Sequence, residues 1–199
     1  MGDTGPTAPR AKRADARRNE RALLDAAAKV FFRSGVEAPI RDIAAEAGVG
    51  TATIYRHFPL RADLIVAVYR HQVETLAEEG PALLAGGTDP YAALHRWFDL
   101  FVEFVVTKQG FATALQSDDP CYDPLHSYFL ERLVPVCARL LDAAAGAGRI
   151  RTGQDAAELM WGVGSLCAGT GGKQRFRTRP LVHLLIDGLA TEPRHDALP

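Results

Sequence analysis

The chain has 199 residues, of which 47% are hydrophobic and 24% are charged, and its formal net charge is -1. This composition suits one or two small globular domains, and no apolar run is long enough to span a bilayer. The N-terminus has no apolar signal region, so we expect a cytoplasmic protein without a membrane partner. Cys121, Cys137 and Cys167 are far apart and form no CxxC pair, which argues against a disulfide framework and a structural zinc site.

Charge is distributed unevenly along the chain. Residues 1–61 hold 11 Lys and Arg against 7 Asp and Glu, a net of +4, whereas residues 62–199 hold 12 against 17, a net of -5, and the two sums give -1. A basic front and an acidic rear indicate two functions in one chain, with chance as the alternative.

The front of the chain begins with a segment that lacks apolar periodicity. Residues 1–17 are rich in Gly, Pro, Ala and Arg, and we predict a disordered basic arm, either a solvated tail or a DNA-contacting one. Arg18 to Ser34 is predicted to form the first helix, because Leu23, Ala27 and Phe31 recur at helical spacing.

Two short helices are predicted next, at Ile40–Ala47 and Thr51–His57. Pro39 stands where the start of a helix tolerates proline, and Gly48 ends the first of the two helices. Val49 is expected to plug the turn between them. Two short helices joined by a tight glycine-containing turn are typical of the helix-turn-helix motif.

The remainder of the chain has helical periodicity and no strand pattern, so the predicted fold is all-α. We expect Pro135 to kink the predicted helix at Tyr122–Ala145. The predicted rear helices are Arg61–Leu84, Pro90–Lys108, Phe111–Gln116, Tyr122–Ala145, Asp155–Thr170 and Arg179–Leu189.

The residues from Ile40 to Pro59, IRDIAAEAGVGTATIYRHFP, and the following RADL from Arg61 resemble the TetR/AcrR family of bacterial regulators. The resemblance is close from Arg18 to Tyr69 and weaker in specific residues beyond. It implies a DNA-binding transcriptional regulator, usually a repressor. The predicted domains are a three-helix helix-turn-helix domain at residues 18–62 and a helical ligand-binding and dimerisation domain at 63–190. We also predict a disordered tail at 191–199.

The second short helix has the properties of a recognition helix. Ile54 and Phe58 are four residues apart and anchor its inner face, which leaves the outer side chains for the major groove. The candidate base readers are Thr51, Ala52, Thr53 and Arg56. Arg56 can contact guanine through two hydrogen bonds, although a solvated side chain is the alternative.

Phosphate contacts are predicted around the same helix. Tyr55 and His57 carry polar tips that suit phosphate oxygens, and the resemblance implies this role. The alternatives are core packing for Tyr55 and a helix-terminal charge for His57. Arg41 lies at a helix start, where cations and helix N-termini meet phosphate. The resemblance also covers Gly50, which stands where the family often has serine, and Arg61, which stands where it usually has lysine and is expected to keep a phosphate contact.

The resemblance implies a homodimer formed by the last two helices. The candidate interface combines a small-residue face with an apolar stripe, and monomer core packing is the alternative. Its residues are Gly164, Ser165, Ala168, Leu181, Val182, Leu185 and Leu189.

An aromatic stripe in the rear half is a candidate pocket for a largely apolar small molecule, with ordinary core packing as the alternative. The candidate lining is Trp97, Phe98, Phe101, Phe104, Phe129, Leu133, Cys137, Met160 and Trp161.

Three classes of function were weighed. A ligand-responsive repressor, acting as a homodimer on a palindromic operator, is the leading hypothesis, and a DNA-binding regulator controlled by a protein partner is the alternative. The sequence has no metal-spaced His/Cys cluster, phosphate-binding glycine loop or nucleophile elbow, so we expect neither an enzyme nor a cofactor.

Overall fold

A computed structural model describes residues 7–109, 124–168 and 175–191. Over these residues the all-α fold is confirmed, apart from one isolated antiparallel bridge between Ile150 and Ala190. None of the described helices is long and apolar enough to cross a membrane. The helices are α1 (Thr7–Ser34), α2 (Ile40–Ala47), α3 (Thr51–His57), α4 (Arg61–Ala85), α5 (Pro90–Gln109), α6 (Pro124–Gly146), α7 (Ala156–Ala168) and α8 (Arg175–Asp187).

The described residues form two compact units. The first unit comprises residues 7–71, and the second comprises residues 72–109, 124–168 and 175–191. The change of unit falls within α4, after His71, and not at residue 62. The predicted helix at Phe111–Gln116 and most of the predicted tail lie outside the described residues.

The first helix is longer than the sequence pattern indicated. It begins at Thr7 and not at Arg18, so much of the predicted disordered arm is helical. The reason is intrinsic propensity: Ala, Lys and Arg are strong helix formers, and Pro9 lies in the first turn, where proline is tolerated. The apolar stripe of α1 is buried as predicted, including Leu23, Ala27 and Phe31.

The helix-turn-helix bounds predicted from the sequence are confirmed for both α2 and α3. Gly48 adopts a left-handed φ of 66°, which lets the backbone N–H groups of Gly48 and Val49 donate to the carbonyls of Ala45 and Ala44 at the end of α2. The prediction for Val49 was wrong, because its side chain is exposed and these backbone hydrogen bonds close the turn instead.

The second unit has a core built on aromatic rings of α5. Trp97 stacks on Phe101 with ring centroids 5.6 Å apart, and its indole Nε1 donates to the carbonyl of Leu76 at 3.0 Å. α4 approaches α6 closely at Gly80, where a Cβ would overlap Val136 Cγ1. The absence of a side chain at residue 80 is therefore a packing requirement of this unit.

Candidate nucleic-acid interface

The helix-turn-helix presents one face of α3 outward. Ile54 is fully buried, whereas Thr51, Ala52 and Arg56 are exposed and Thr53 is half-buried. The inner and outer faces are those that the spacing of Ile54 and Phe58 predicts. The outer face offers small polar groups and one guanidinium, a combination that can enter a major groove without a bulky apolar side chain in the way.

A hydrogen bond within α3 orients the guanidinium of this face. Arg56 Nη2 donates to Thr53 Oγ1 at 3.1 Å, one turn back along the helix. A guanidinium held in this way loses less rotamer freedom when it binds a base edge.

The candidate phosphate contacts around α3 are accessible. Tyr55 is 54% exposed, which excludes the alternative that its ring packs in the small core. The side chain of Arg41 is exposed beside the first turn of α2, with Asp42 at 3.5 Å as its ion-pair partner. His57 is exposed, and Gly50 lies at the N-cap of α3 in extended backbone, with no side chain to cap the helix.

Arg61 differs from the other candidates, because its side chain has backbone hydrogen-bond partners within the chain. Its side chain is only 30% exposed, and its guanidinium donates to the backbone carbonyls of Val36 and Ala38. Donors directed at the chain's own carbonyls are not directed at a phosphate. The reason is tertiary: the loop between α1 and α2 returns to the start of α4, a contact that no local pattern reveals.

Two side-chain pairs that the sequence analysis missed stabilise the frame behind α3. Arg33 on α1 donates to Glu46 on α2 at 2.6 Å, and this hydrogen bond lowers the pKa of Glu46. His71 Nε2 lies 2.7 Å from Asp25 Oδ1 and joins α4 to α1. The two residues of each pair lie on different helices, 13 or 46 positions apart in the sequence, so local spacing does not predict either contact.

The aromatic residues proposed as a pocket are buried against one another. Phe104 and Phe129 stack with centroids 5.7 Å apart, and Phe101 lies 6.1 Å from Phe129. Burial also raises the pKa of Cys137 to about 12, which keeps its thiol neutral. The buried members of the candidate lining are Trp97, Phe98, Phe101, Phe104, Phe129, Leu133, Cys137 and Met160.

Trp161 was wrongly placed in that lining. It is 77% exposed on α7, whereas the neighbouring Met160 is buried. Successive residues of an α-helix lie about 100° apart around the axis, and on α7 this step carries Trp161 from the buried side to the exposed side.

The proposed interface residues of α7 and α8 divide between surface and core. Leu181, Leu185 and Ser165 are exposed and Gly164 is partly exposed, whereas Val182 and Leu189 are buried, which corrects their assignment to an interface. Val182 lies about 100° around the helix axis from the exposed Leu181, on the buried side of α8. The side chain of Ala168 lies outside the described residues.

The sequence analysis missed Leu184, which is 66% exposed on the same side of α8 as Leu181 and Leu185. The i, i+3, i+4 spacing of these three leucines was the available signal. Together with Trp161 they leave apolar side chains uncovered on the last two helices.

Comparison with known proteins agrees with this architecture. Residues 23–68 match the family model described as bacterial regulatory proteins of the TetR family, and residues 89–191 match the C-terminal domain of SbtR-like transcriptional regulators. Over 65 residues the chain is 43% identical to the HTH-type transcriptional repressor LfrR of Mycolicibacterium smegmatis, which covers 33% of this chain and 34% of that protein. The chain thus aligns with about a third of that curated relative.

Solved structures are similar over nearly their whole length. A TetR transcriptional regulator from Streptomyces coelicolor is 33% identical with a TM-score of 0.77, covering 87% of this chain and 99% of that one. A TetR regulatory protein from Mycobacterium vanbaalenii is 31% identical with a TM-score of 0.67, covering 90% and 99%. The motif of α2 and α3, the helical second unit and these matches together show that the chain belongs to the TetR family of bacterial regulatory proteins.

Proposed function

We propose that this protein is a sequence-specific DNA-binding transcriptional repressor that acts as a homodimer on a palindromic operator. The observation that carries the proposal is the outer face of α3, where the guanidinium of Arg56 is exposed and oriented by Thr53. Family membership and the similarity to a named repressor support it.

Base reading and phosphate anchoring fall to different side chains. Thr51, Ala52, Thr53 and Arg56 line the face that would meet base edges, and base-edge contacts carry sequence information. Tyr55, His57 and Arg41 surround that face and would bind phosphate oxygens, which fix the register of the protein on the duplex.

The homodimer follows from the shortness of α3 and from the apolar surface of the last two helices. A helix of 7 residues contacts few base pairs, so useful affinity needs two copies on two half-sites. Leu181, Leu184, Leu185 and Trp161 are exposed, and burying a large apolar side chain contributes about 1.5–3 kcal/mol. A second copy of the chain would supply the second recognition helix and would cover these apolar side chains.

We further propose that a largely apolar small molecule binds among the aromatic residues of the second unit and shifts the dimer between two states. Its effect on DNA affinity would equal its differential affinity for those states. Control by a protein partner is the alternative. A thermal-shift screen separates the two, because a small molecule that binds the folded protein raises its melting temperature.

The test of DNA binding is selection from a randomised duplex library, followed by footprinting of the enriched sequence. We expect a palindrome whose half-sites are about 10 base pairs apart, or a multiple of that spacing. Failure to enrich any sequence would refute sequence-specific binding.

A matched pair of variants then tests the phosphate anchors. Arg41→Ala should weaken binding to all duplexes and reduce the salt slope of log affinity by about 0.9, because one phosphate contact is lost. Arg139→Ala removes an equally charged, exposed side chain from α6 in the second unit and should leave both quantities unchanged.

A further inference from the structure

Arg61 holds the backbone on both sides of the helix-turn-helix. It is the first residue of α4 and follows the end of α3 by only three intervening residues. Its Nε donates to the carbonyl of Val36 at 2.7 Å, and its Nη2 donates to the carbonyls of Val36 and Ala38, the latter at 2.5 Å. One side chain therefore joins the segment that leaves α3 to the loop that enters α2.

The loop that receives these hydrogen bonds is itself well fixed. Gly35 adopts a left-handed φ of 78°, Ala38 N–H donates to the carbonyl of Gly35, and the side chains of Val36 and Ala38 are buried. Buried side chains orient this backbone, so its carbonyls present a defined pair of acceptors. Glu37, at 3.9 Å from Arg61 Nε, is exposed and adds only a weak ion pair.

We propose that Arg61 is a positioning residue that closes the helix-turn-helix into a ring and so fixes the start of α2, where Arg41 lies. The proposal rests on the proposed DNA-binding function. It assigns Nε and Nη2 of Arg61 to the chain's own carbonyls and not to DNA.

The shape of the guanidinium decides how the proposal can be tested. A planar fork donates to two acceptors from adjacent nitrogens, whereas a lysine ammonium is a compact point charge on a flexible stem. Arg61→Lys keeps the charge that a phosphate contact needs and loses the fork that the ring needs. Arg61→Gln loses both.

The experiment measures affinity of the full-length chain for the duplex enriched by the wild-type protein, as a function of salt, with hydrogen exchange of peptides covering residues 35–47. Circular dichroism and urea unfolding establish a temperature at which each variant is folded. Arg41→Ala serves as the reference for loss of a phosphate contact.

We expect both Arg61→Lys and Arg61→Gln to weaken binding by about 5- to 30-fold, with the wild-type salt slope retained and faster exchange at residues 35–47. Normal affinity of Arg61→Lys together with a slope reduced by about 0.9 in Arg61→Gln would show a phosphate contact and overturn the proposal. Wild-type affinity in both variants would also overturn it.

Failure of the DNA-binding function would look different. In that case the wild-type protein would enrich no duplex at all, whereas the exchange of residues 35–47 would still report whether Arg61 closes the ring. Unchanged hydrogen exchange of residues 35–47 in both Arg61 variants would refute the closing role of Arg61, whether or not the protein binds DNA.

Discussion

The two units of the chain distribute polar and apolar side chains in opposite ways. The first unit buries aliphatic and aromatic residues such as Ile54 and Phe31 and exposes hydroxyl and basic groups on α3. The second unit buries its tryptophan-centred aromatic core and leaves Trp161 and Leu184 exposed on the last two helices. The difference indicates that the first unit meets a charged, hydrated partner, whereas the second unit meets apolar ones.

The largest expected effect tests the apolar half of this comparison. Leu185→Asp should raise the dissociation constant of the proposed dimer by about 100-fold or more, because a charge would be buried in an apolar contact. Analytical ultracentrifugation gives the measurement. Leu130→Asp is the matched control, since Leu130 on α6 is 38% exposed and Leu185 is 37% exposed. Equal dimerisation by both variants would mean that α8 is not the interface.

A smaller effect tests the polar half. Arg56→Ala should weaken binding to the selected operator by about 5- to 150-fold, the range expected for one bidentate base contact, and relax the preference at a single base pair. Repeating the selection with the variant gives the measurement. Thr53→Val should have a milder effect in the same direction, because it removes the hydroxyl that orients Arg56. A uniform loss across all sequences would assign Arg56 to phosphate.

The interior of the second unit is tested by Gly80→Ala. The new Cβ would overlap Val136 Cγ1, and we expect a loss of about 1–3 kcal/mol in the free energy of unfolding. Urea unfolding measures it. Gly162→Ala on α7 is the control, because a Cβ there meets nothing within 4 Å and should be neutral or stabilising. Equal stability of the two variants would contradict the close approach of α4 and α6.

The smallest effect concerns pH. Burial lowers the pKa of His95 below its ordinary value of 6.5; Asp187 and Asp99 raise it in part, and His183 lowers it further. The unfolded chain therefore takes up a proton before the folded chain does, and stability is lost as the pH falls below about 6.5. We expect the free energy of unfolding to decrease as the pH falls from 7.5 to 5.5.

Comparison of His95→Gln with the wild-type protein isolates the contribution of His95 to the pH dependence of stability. The variant should unfold with a flatter dependence on pH in urea titrations. A steeper pH dependence of unfolding in His95→Gln would show that His95 affects stability in the opposite direction.

Sequence reasoning succeeded where the determinants are local. Pro39 and Gly48 set the bounds of α2, and the spacing of Ile54 and Phe58 sets the two faces of α3. It failed for Arg61, because the partner of that side chain lies 25 residues away in the chain. A residue type alone does not distinguish an arginine that binds backbone from one that binds phosphate.

The errors in the second unit have a different cause. Met160 and Trp161 are adjacent apolar residues that were grouped by composition, although only Met160 faces the core. Val182 was grouped with Leu181 in the same way. To predict the interface and effector residues, one must know which side of α7 and α8 faces the core. The packing of the other helices determines that orientation.

The ring closed by Arg61 has a consequence for exchange of DNA-binding modules between related proteins. A transplant limited to the two short helices would carry neither Arg61 nor the carbonyls of Val36 and Ala38, so the start of the transplanted α2 would be held only by the recipient's own loop. The smallest transferable module is therefore the segment from Gly35 through Arg61. Operator preference should move intact between scaffolds only when that closing arginine moves with it.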